Sequence, residues 1–349
     1  MACPRCQTLP LTASARGELL LTFAVRELRD KCLDYLEQAL LVHRVEGMVV
    51  RLPDTCLLGF LERLRVEQPF NALEREGILA LLLPPGEDLD FHAFTRAHSL
   101  ERWFSLLAAR PLLEILEYQR FVSWFQPIVS IADGAVVGHE ALLRGRLPDG
   151  GLMFPGEIFS LAAANDLLFQ VDRQARAAAL HCAAAQGLDG LLFINFLPTA
   201  IYDPVHCLRS TVGWARKLGI DPGRIVFEVV ETERVGDTEH LKRILDFYRD
   251  AGYRVALDDV GSGYASLNLL AQLRPDIIKV DMEIIRDIDR DPARQSIYRA
   301  LAGIAAELDI ELLAEGIETE AELDYVRRHG ADLAQGYLFG RPGPGVAGG

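Results

Sequence analysis

The sequence predicts an α/β protein in two parts, a small α/β domain followed by a (β/α)8 barrel. Three observations point there. The chain has 349 residues, more than one ordinary domain. Half of them are hydrophobic and a quarter charged, the balance of a folded chain with a substantial core. From about residue 112 onward, short apolar runs rich in β-branched residues alternate with helical patterns over roughly 230 residues, the usual span of such a barrel.

In chain order, Gly17 to Ala24 reads as a strand. Val25 to Val42 reads as a helix with Val25, Leu28, Cys32, Leu36, Ala39 and Leu40 on one face. Val45 to Leu52 is expected to be a second strand, Thr55 to Glu67 a second helix, and Ile78 to Leu83 a third strand stopped by Pro84-Pro85-Gly86. A helical region is expected from about Phe91 to Ala109. Residues 1–111 carry no catalytic constellation and are expected to be regulatory or sensory. Cys3-Pro-Arg-Cys6 has the spacing of half a zinc site, but no second CxxC follows, so two free thiols are the preferred reading and zinc the competing one. Cys32 and Cys56 fall on apolar faces and read as core.

Arg110-Pro111 marks the expected junction, and Leu112 to Gln119 a helix leading into the barrel, residues 112–342. The candidate barrel strands are Trp124 to Val129, Val136 to Leu143, Leu191 to Asn195, Arg224 to Val230, Arg254 to Leu257, Ile277 to Val280, Glu311 to Ala314 and Leu333 to Gly336. Helical patterns between them include Phe159 to Gln186, His240 to Ala251 and Pro292 to Leu308. The end of the chain, residues 343–349, is rich in Gly and Pro and is expected to lack order.

Active sites of such barrels lie at the C-terminal ends of the strands. Every candidate strand but the first carries a carboxylate, carboxamide or amine there. They are Glu140, Asn195, Glu228 with Glu231, Asp258 with Asp259, Lys279 with Asp281, Glu315 with Glu318, and Gln335. One such residue reads as a solvated strand terminus; the whole set does not, because clustered acids repel unless a cation joins them. Oxygen ligands with one amide and no His or Cys suit Mg²⁺ or Mn²⁺ rather than Zn²⁺. Asp258 and Asp259 are adjacent, and neighbouring residues of a strand face opposite ways, so they converge only if the strand ends before them.

The net charge of −14 argues against nucleic-acid or anionic-membrane binding. No apolar run reaches transmembrane length and the N-terminus lacks a secretory signal pattern, so a cytoplasmic protein without membrane insertion is expected. The six cysteines are too scattered for a disulfide framework.

Residues from about 112 to 342 resemble the EAL phosphodiesterases that hydrolyse cyclic di-GMP. The resemblance rests on Gln126-Pro127-Ile128-Val129, then Glu140-Ala141-Leu142-Leu143-Arg144, then segments in the family order. These are Asp258-Asp259 with Gly261, Ser262 and Gly263; Lys279 with Asp281; Ala314-Glu315-Gly316 with Glu318; and Gln335-Gly336-Tyr337 with Phe339. It implies a TIM-like barrel whose first strand is antiparallel to the rest. It also implies that Glu140, Asn195, Glu228 and Asp258 ligate one divalent ion, with Asp258 bridging to a second and Asp259 beside it. Glu315 resembles the general base, Lys279 the lysine that contacts the attacking water and Asp259, and Gln335 a residue that orients that water. Arg144 resembles a phosphate-binding residue, with Gln126 and Leu142 near guanine and ribose. Glu231 resembles an anchor for the loop after strand five, while Asp281 and Glu318 are expected to hold Lys279 and nearby backbone. Val230, Val260, Ser262 and Gly145 depart from the family's usual Thr, Phe, Thr and Trp, and none of these is a ligand position.

The implied activity is metal-dependent opening of cyclic di-GMP to linear pGpG by a cyclic-guanylate-specific phosphodiesterase, under control of the N-terminal domain. A silent cyclic di-GMP receptor is the competing reading, and an interaction scaffold a third. The resemblance also implies a homodimer formed through barrel helices near the loop after strand five. No GGDEF-type synthase segment is present in the N-terminal part.

Overall fold

In the computed structural model, residues 16–230, 238–261 and 266–345 are described. Two compact units divide the chain. Among the described residues, one holds residues 16–117 with Ser160–Leu167, the other Tyr118–Phe159 and the residues from Leu168 onward.

In the first unit, β1 (Arg16–Phe23), β2 (Arg44–Glu46), β3 (Val49–Cys56), β4 (Ile78–Leu83) and β5 (His98–Ser99) form an antiparallel sheet in the order β2-β3-β1-β4-β5. Alternate strand residues face one way. Leu19 and Leu21 therefore pack with Leu28, Cys32 and Leu36 of helix Arg26–Gln38 and with Phe60, Leu61 and Leu64 of helix Leu57–Glu67. Leu20 faces the other way, onto Leu81, Leu83 and Ala93.

Three expectations here are corrected. Val45 to Leu52 is not one strand: Gly47, at φ +65°, turns a hairpin between β2 and β3. β3 continues through Pro53 to Cys56, so the following helix starts at Leu57, and Cys56 is half-buried rather than core. The Phe91 to Ala109 region breaks into Phe91–Phe94, β5 and Leu100–Ala108. Asp90 and Ser99 each accept a backbone N–H at a helix start, and such side chains favour initiation over continuation. Pro111 lies in the first turn of helix Arg110–Glu117, where its missing N–H is not needed.

The second unit is built on β6 (Phe121–Ser130), β7 (Val136–Arg146), β8 (Leu152–Met153), β9 (Leu191–Asn195), β10 (Ile225–Val230), β11 (Arg254–Val260), β12 (Ile277–Val280), β13 (Glu311–Ala314) and β14 (Leu333–Gln335). All except β8, a short hairpin partner of β7, close into an eight-stranded barrel. β6 is antiparallel to both its neighbours, β7 and β14, while the pairs from β7 through β9 to β14 are parallel. The expected TIM-like barrel with an antiparallel first strand is therefore observed.

One buried cluster unites Ile128, Phe193, Val226, Ala256, Ile277, Leu313 and Leu333, one residue from each of seven strands. This is an apolar layer across the barrel. A larger cluster, including Leu192, Ile194, Phe227, Leu257, Ile278 and Leu312 from the alternate positions, packs under the surrounding helices. The expected helix Phe159 to Gln186 is two helices, Pro155–Ala164 and Leu168–Ala185, separated by Asp166 at φ +56°. Gly343, in the segment expected to lack order, exchanges backbone hydrogen bonds with Phe125 at 2.8 and 3.0 Å.

Candidate active site

Moving two residues along a strand returns to the same face. Two residues beyond Phe193, Val226, Ala256, Ile277, Leu313 and Leu333 stand Asn195, Glu228, Asp258, Lys279, Glu315 and Gln335. On β6, which runs the other way, Gln126 lies two residues before Ile128, opposite Glu140 in register. The polar set is thus the next interior layer above the apolar one.

Lys279 stands at its centre. Its Nζ lies 2.6 Å from Glu228, 2.8 Å from Glu315, 3.1 Å from Asp258 and 4.0 Å from Glu140. Burial alone would lower the pKa of this ammonium, but Asp258, Glu140, Glu228 and Glu315 together hold it well above its usual range. Burial pushes the Glu228 carboxyl well above its usual range despite Lys279, and likewise raises Asp258. Burial, opposed by Lys279, raises Glu315 to about 8. Asp259 rises to about 6 through burial, then the charges of Asp258 and Asp281.

The two adjacent aspartates converge, but not because the strand stops at Leu257 as expected. β11 runs on to Val260, with a bulge between Leu257 and Val260 in its pairing with β12. Asp259 adopts φ +55°, and its backbone N–H donates to Asp258 Oδ1 at 3.0 Å. A bulge re-aims side chains locally, and single oxygens of Asp258, Asp259 and Glu315 come within 4.8 Å of one another.

Amides hold the other side. Asn195 Nδ2 donates to Glu140 Oε1 at 3.0 Å, leaving its carbonyl oxygen as the atom able to ligate. Gln335 Nε2 donates to Glu140 Oε2 at 2.7 Å and to Gln126 Oε1 at 3.1 Å, while its own Oε1 is buried and accepts no hydrogen bond. Gln126 in turn donates to the Gly340 carbonyl. A cavity of about 260 Å³ opens onto this layer, lined by Gln126, Glu140, Asp259, Asp281, Glu315 and Gln335, with Met282, Arg286 and Tyr337 at its side.

The donor set suits a hard divalent cation: carboxylates and one amide, without His or Cys. Glu228 fits especially well. It has no solvent exposure, and neither oxygen accepts a well-angled hydrogen bond, although Lys279 pairs with it electrostatically.

The nearest partners of Lys279 are Glu228, Glu315 and Asp258, and its charge also acts on Asp259. Of the two kinds of partner expected for Asp281, a backbone group is seen: it accepts the Glu283 N–H at 2.7 Å and caps helix Met282–Ile285. Glu318 pairs instead with Arg286 at 2.5 Å. Arg144 is buried, with its guanidinium 5.0 Å from the Trp124 ring and 5.1 Å from that of Phe154, and its Nε unpartnered. Leu142, opposite Trp124 in register, is half-buried. Glu231, Ser262, Cys3 and Cys6 lie outside the described residues.

Two features were missed from sequence. Glu322 is buried and accepts backbone N–H groups from Asp287, Glu318 and Thr319, tying the loops after β12 and β13 together. Thr319 and Glu322 form a capping box, and that S/T-x-x-E spacing was the available signal. The buried pair Asp172–Arg176 was signalled by opposite charges one turn apart in an apolar helix.

Fold and site together define a barrel protein with a cluster of carboxylates and amides around one lysine on its strand ends. The chain belongs to the EAL domain family, which matches residues 109–342. It is 30% identical over 264 residues to the probable cyclic di-GMP phosphodiesterase PdeG of Escherichia coli (strain K12), covering 72% of this chain and 50% of that protein. It is 32% identical over 230 residues to the cyclic di-GMP phosphodiesterase NbdA of Pseudomonas aeruginosa, covering 63% of this chain and 28% of that one. The chain thus spans half or less of the length of these curated relatives. Among solved structures, a standalone EAL protein from Vibrio cholerae O395 in its c-di-GMP-bound form is 40% identical, with TM-score 0.58 over 64% of this chain and 92% of that one. The PaMucR phosphodiesterase in complex with c-di-GMP is 29% identical, with TM-score 0.60 over 68% of this chain and 97% of that one. Among the described residues, no helix is long and apolar enough to cross a membrane.

Proposed function

We propose that this chain is a divalent-metal-dependent phosphodiesterase that opens cyclic di-GMP to linear pGpG. The observation that carries this reading is the convergence of Glu140, Glu228, Asp258 and Glu315 on Lys279, with Asn195 and Gln335 both bonded to Glu140, below a cavity lined by Glu140, Glu315 and Gln335. The family membership and the phosphodiesterase names of relatives support it.

Glu140, Asn195, Glu228 and Asp258 would hold one Mg²⁺ or Mn²⁺, and Asp258, Asp259 and Glu315 would face a second. Bound there, such ions supply an activated water and offset the charge that develops at phosphorus. Glu315 takes the proton of the attacking water through a carboxylate oxygen. The water oxygen bonds to phosphorus as the bond to the ribose O3′ breaks, and that oxygen takes up a proton from solvent water to leave as the 3′-hydroxyl. Lys279 fixes Glu315 at 2.8 Å and places a positive charge beside the new anion. The unpartnered Gln335 Oε1 accepts from the water or a ligand to it. Arg144, in contact with the rings of Trp124 and Phe154, offers its guanidinium to a substrate phosphate. Gln126 and Leu142 face guanine and ribose. The N-terminal unit regulates this activity, and pairing of two barrels through their helices makes the homodimer.

The test is product formation from cyclic di-GMP by the purified chain with Mg²⁺ or Mn²⁺. Glu140→Ala and Glu315→Gln are expected to abolish pGpG while leaving the circular dichroism spectrum intact. Ca²⁺, larger and less polarising, is expected to inhibit. Binding of cyclic di-GMP without product in either metal would establish the receptor reading instead.

A further inference from the structure

Behind β9, outside the cavity, lies a second buried polar cluster. Asp172 and Arg176 sit one turn apart on helix Leu168–Ala185 and are 3% and 1% exposed. Arg176 Nε and Nη2 donate to Asp172 Oδ2 at 3.1 and 2.6 Å, and Nη1 donates to Thr211 Oγ1 at 2.6 Å. The phenol of Tyr248, itself fully buried, lies beside the guanidinium. Such a pair is a weak stabiliser, since apolar side chains of similar volume often serve a core equally well. Its geometry points to another role. With Oδ2 held by Arg176, Asp172 turns Oδ1 to the backbone N–H of Leu197, which donates at 2.9 Å.

Leu197 is two residues past Asn195 and begins the turn Pro198–Ala200. The residues leaving β9 are anchored at three successive points. Asn195 donates to Glu140, the Phe196 N–H donates to the Glu228 carbonyl at 3.2 Å, and the Leu197 N–H donates to Asp172. The first two anchors belong to the cavity layer itself. Asp172 is the external one, fixed in turn through Thr211 on the neighbouring helix Arg209–Leu218.

We infer that Asp172 is a positioning residue that sets Asn195 through Leu197, with Arg176 and Thr211 locking its carboxylate. The inference rests on the proposed role of Asn195 as a metal ligand. Groups that orient metal ligands from outside typically alter metal affinity by about 10–100-fold when removed.

Two double variants of the full chain separate positioning from stability. Asp172→Leu with Arg176→Met replaces the pair by apolar side chains of similar size and leaves Leu197 without an acceptor. Asp172→Asn with Arg176→Met also removes both charges but keeps an oxygen for Leu197. Three readouts are taken on each: melting temperature, hydrogen–deuterium exchange of the peptide spanning 191–201, and Mn²⁺ affinity by titration calorimetry. Both variants are expected to melt near the wild type. The Leu/Met variant is expected to exchange faster over 191–201 and to bind Mn²⁺ about tenfold more weakly or worse, with the Asn/Met variant restoring both. Wild-type Mn²⁺ affinity and exchange in the Leu/Met variant would overturn the inference. Equal impairment of the two variants, or failure of both to fold, would also overturn it, since the effect would then follow the charges or the core. If the wild type binds no Mn²⁺, the proposed function fails, while the exchange comparison still decides the role of Asp172.

Discussion

The Lys279 ammonium lies 2.6 Å from Glu228, and the two side chains are 1% and 0% exposed. Neither charge would survive alone at that depth, because removing one partner of a buried pair leaves the other uncompensated. Lys279→Met exposes Glu228, Asp258 and Glu315 to one another without a counter-charge. In EDTA, urea unfolding is expected to show a loss of about 3–5 kcal/mol. Added Mn²⁺ should shrink that deficit while leaving turnover abolished.

Gly316 follows Glu315 at φ +70°, and a Cβ there would lie 2.3 Å from Met282 Cβ. Gly316→Ala therefore meets both a left-handed backbone penalty of about 1–2 kcal/mol and a collision that shifts Glu315. A lower melting temperature and a turnover loss of about tenfold or more are expected. Combining it with Met282→Gly removes the collision but not the backbone strain, so part of the turnover should return.

Glu322 gives the fold a defined acid sensitivity. Burial raises its carboxyl, but backbone N–H groups of Glu318, Asp287 and Thr319 outweigh that and hold it below its usual range. A depressed carboxyl stabilises the fold above its unfolded pKa, near 4.3, and ceases to do so as pH falls through the folded value. Glu322→Gln is expected to lower stability by about 1.5–3 kcal/mol at pH 7. The difference from the wild type should vanish on acidification below pH ~4. Chemical denaturation across pH measures this directly, and a difference that persists undiminished in acid would remove the explanation.

The two rings flanking Arg144 hold a guanidinium that has one unpartnered nitrogen. Trp124→Ala removes one of those two ring contacts. If Arg144 receives a substrate phosphate, KM for cyclic di-GMP should rise about three- to tenfold with little change in kcat. Steady-state kinetics separates the two parameters.

The layer of polar residues was legible because strand periodicity is simple. Asn195, Glu228, Asp258, Lys279, Glu315 and Gln335 all share the facing of an apolar residue two positions earlier, so naming the strands named the layer. What sequence could not supply was local backbone departure. Asp259 should have faced away from Asp258, and only a bulge with a left-handed residue turns it inward. The helix break at Asp166 and the hairpin at Gly47 were missed for the same reason, since each depends on one residue adopting positive φ within an otherwise regular pattern. The partners of Lys279 also lay beyond reach: several acids at similar distance compete for one ammonium, and the choice depends on fractions of an ångström. Glu318 is taken by the nearer Arg286, a choice the sequence pattern does not show.

The reversed direction of β6 has a topological consequence. Phe121, its first residue, lies opposite Gly145 near the end of β7, past Glu140. In an all-parallel barrel the polypeptide would begin its first strand at the floor and reach the reactive layer only at the end of it. Here it enters at the acid-bearing rim and descends, passing Gln126 before it reaches the apolar layer at Ile128. Only Phe121–Phe125 of β6 precede the cavity-lining Gln126, so the polypeptide meets the reactive layer before the apolar one.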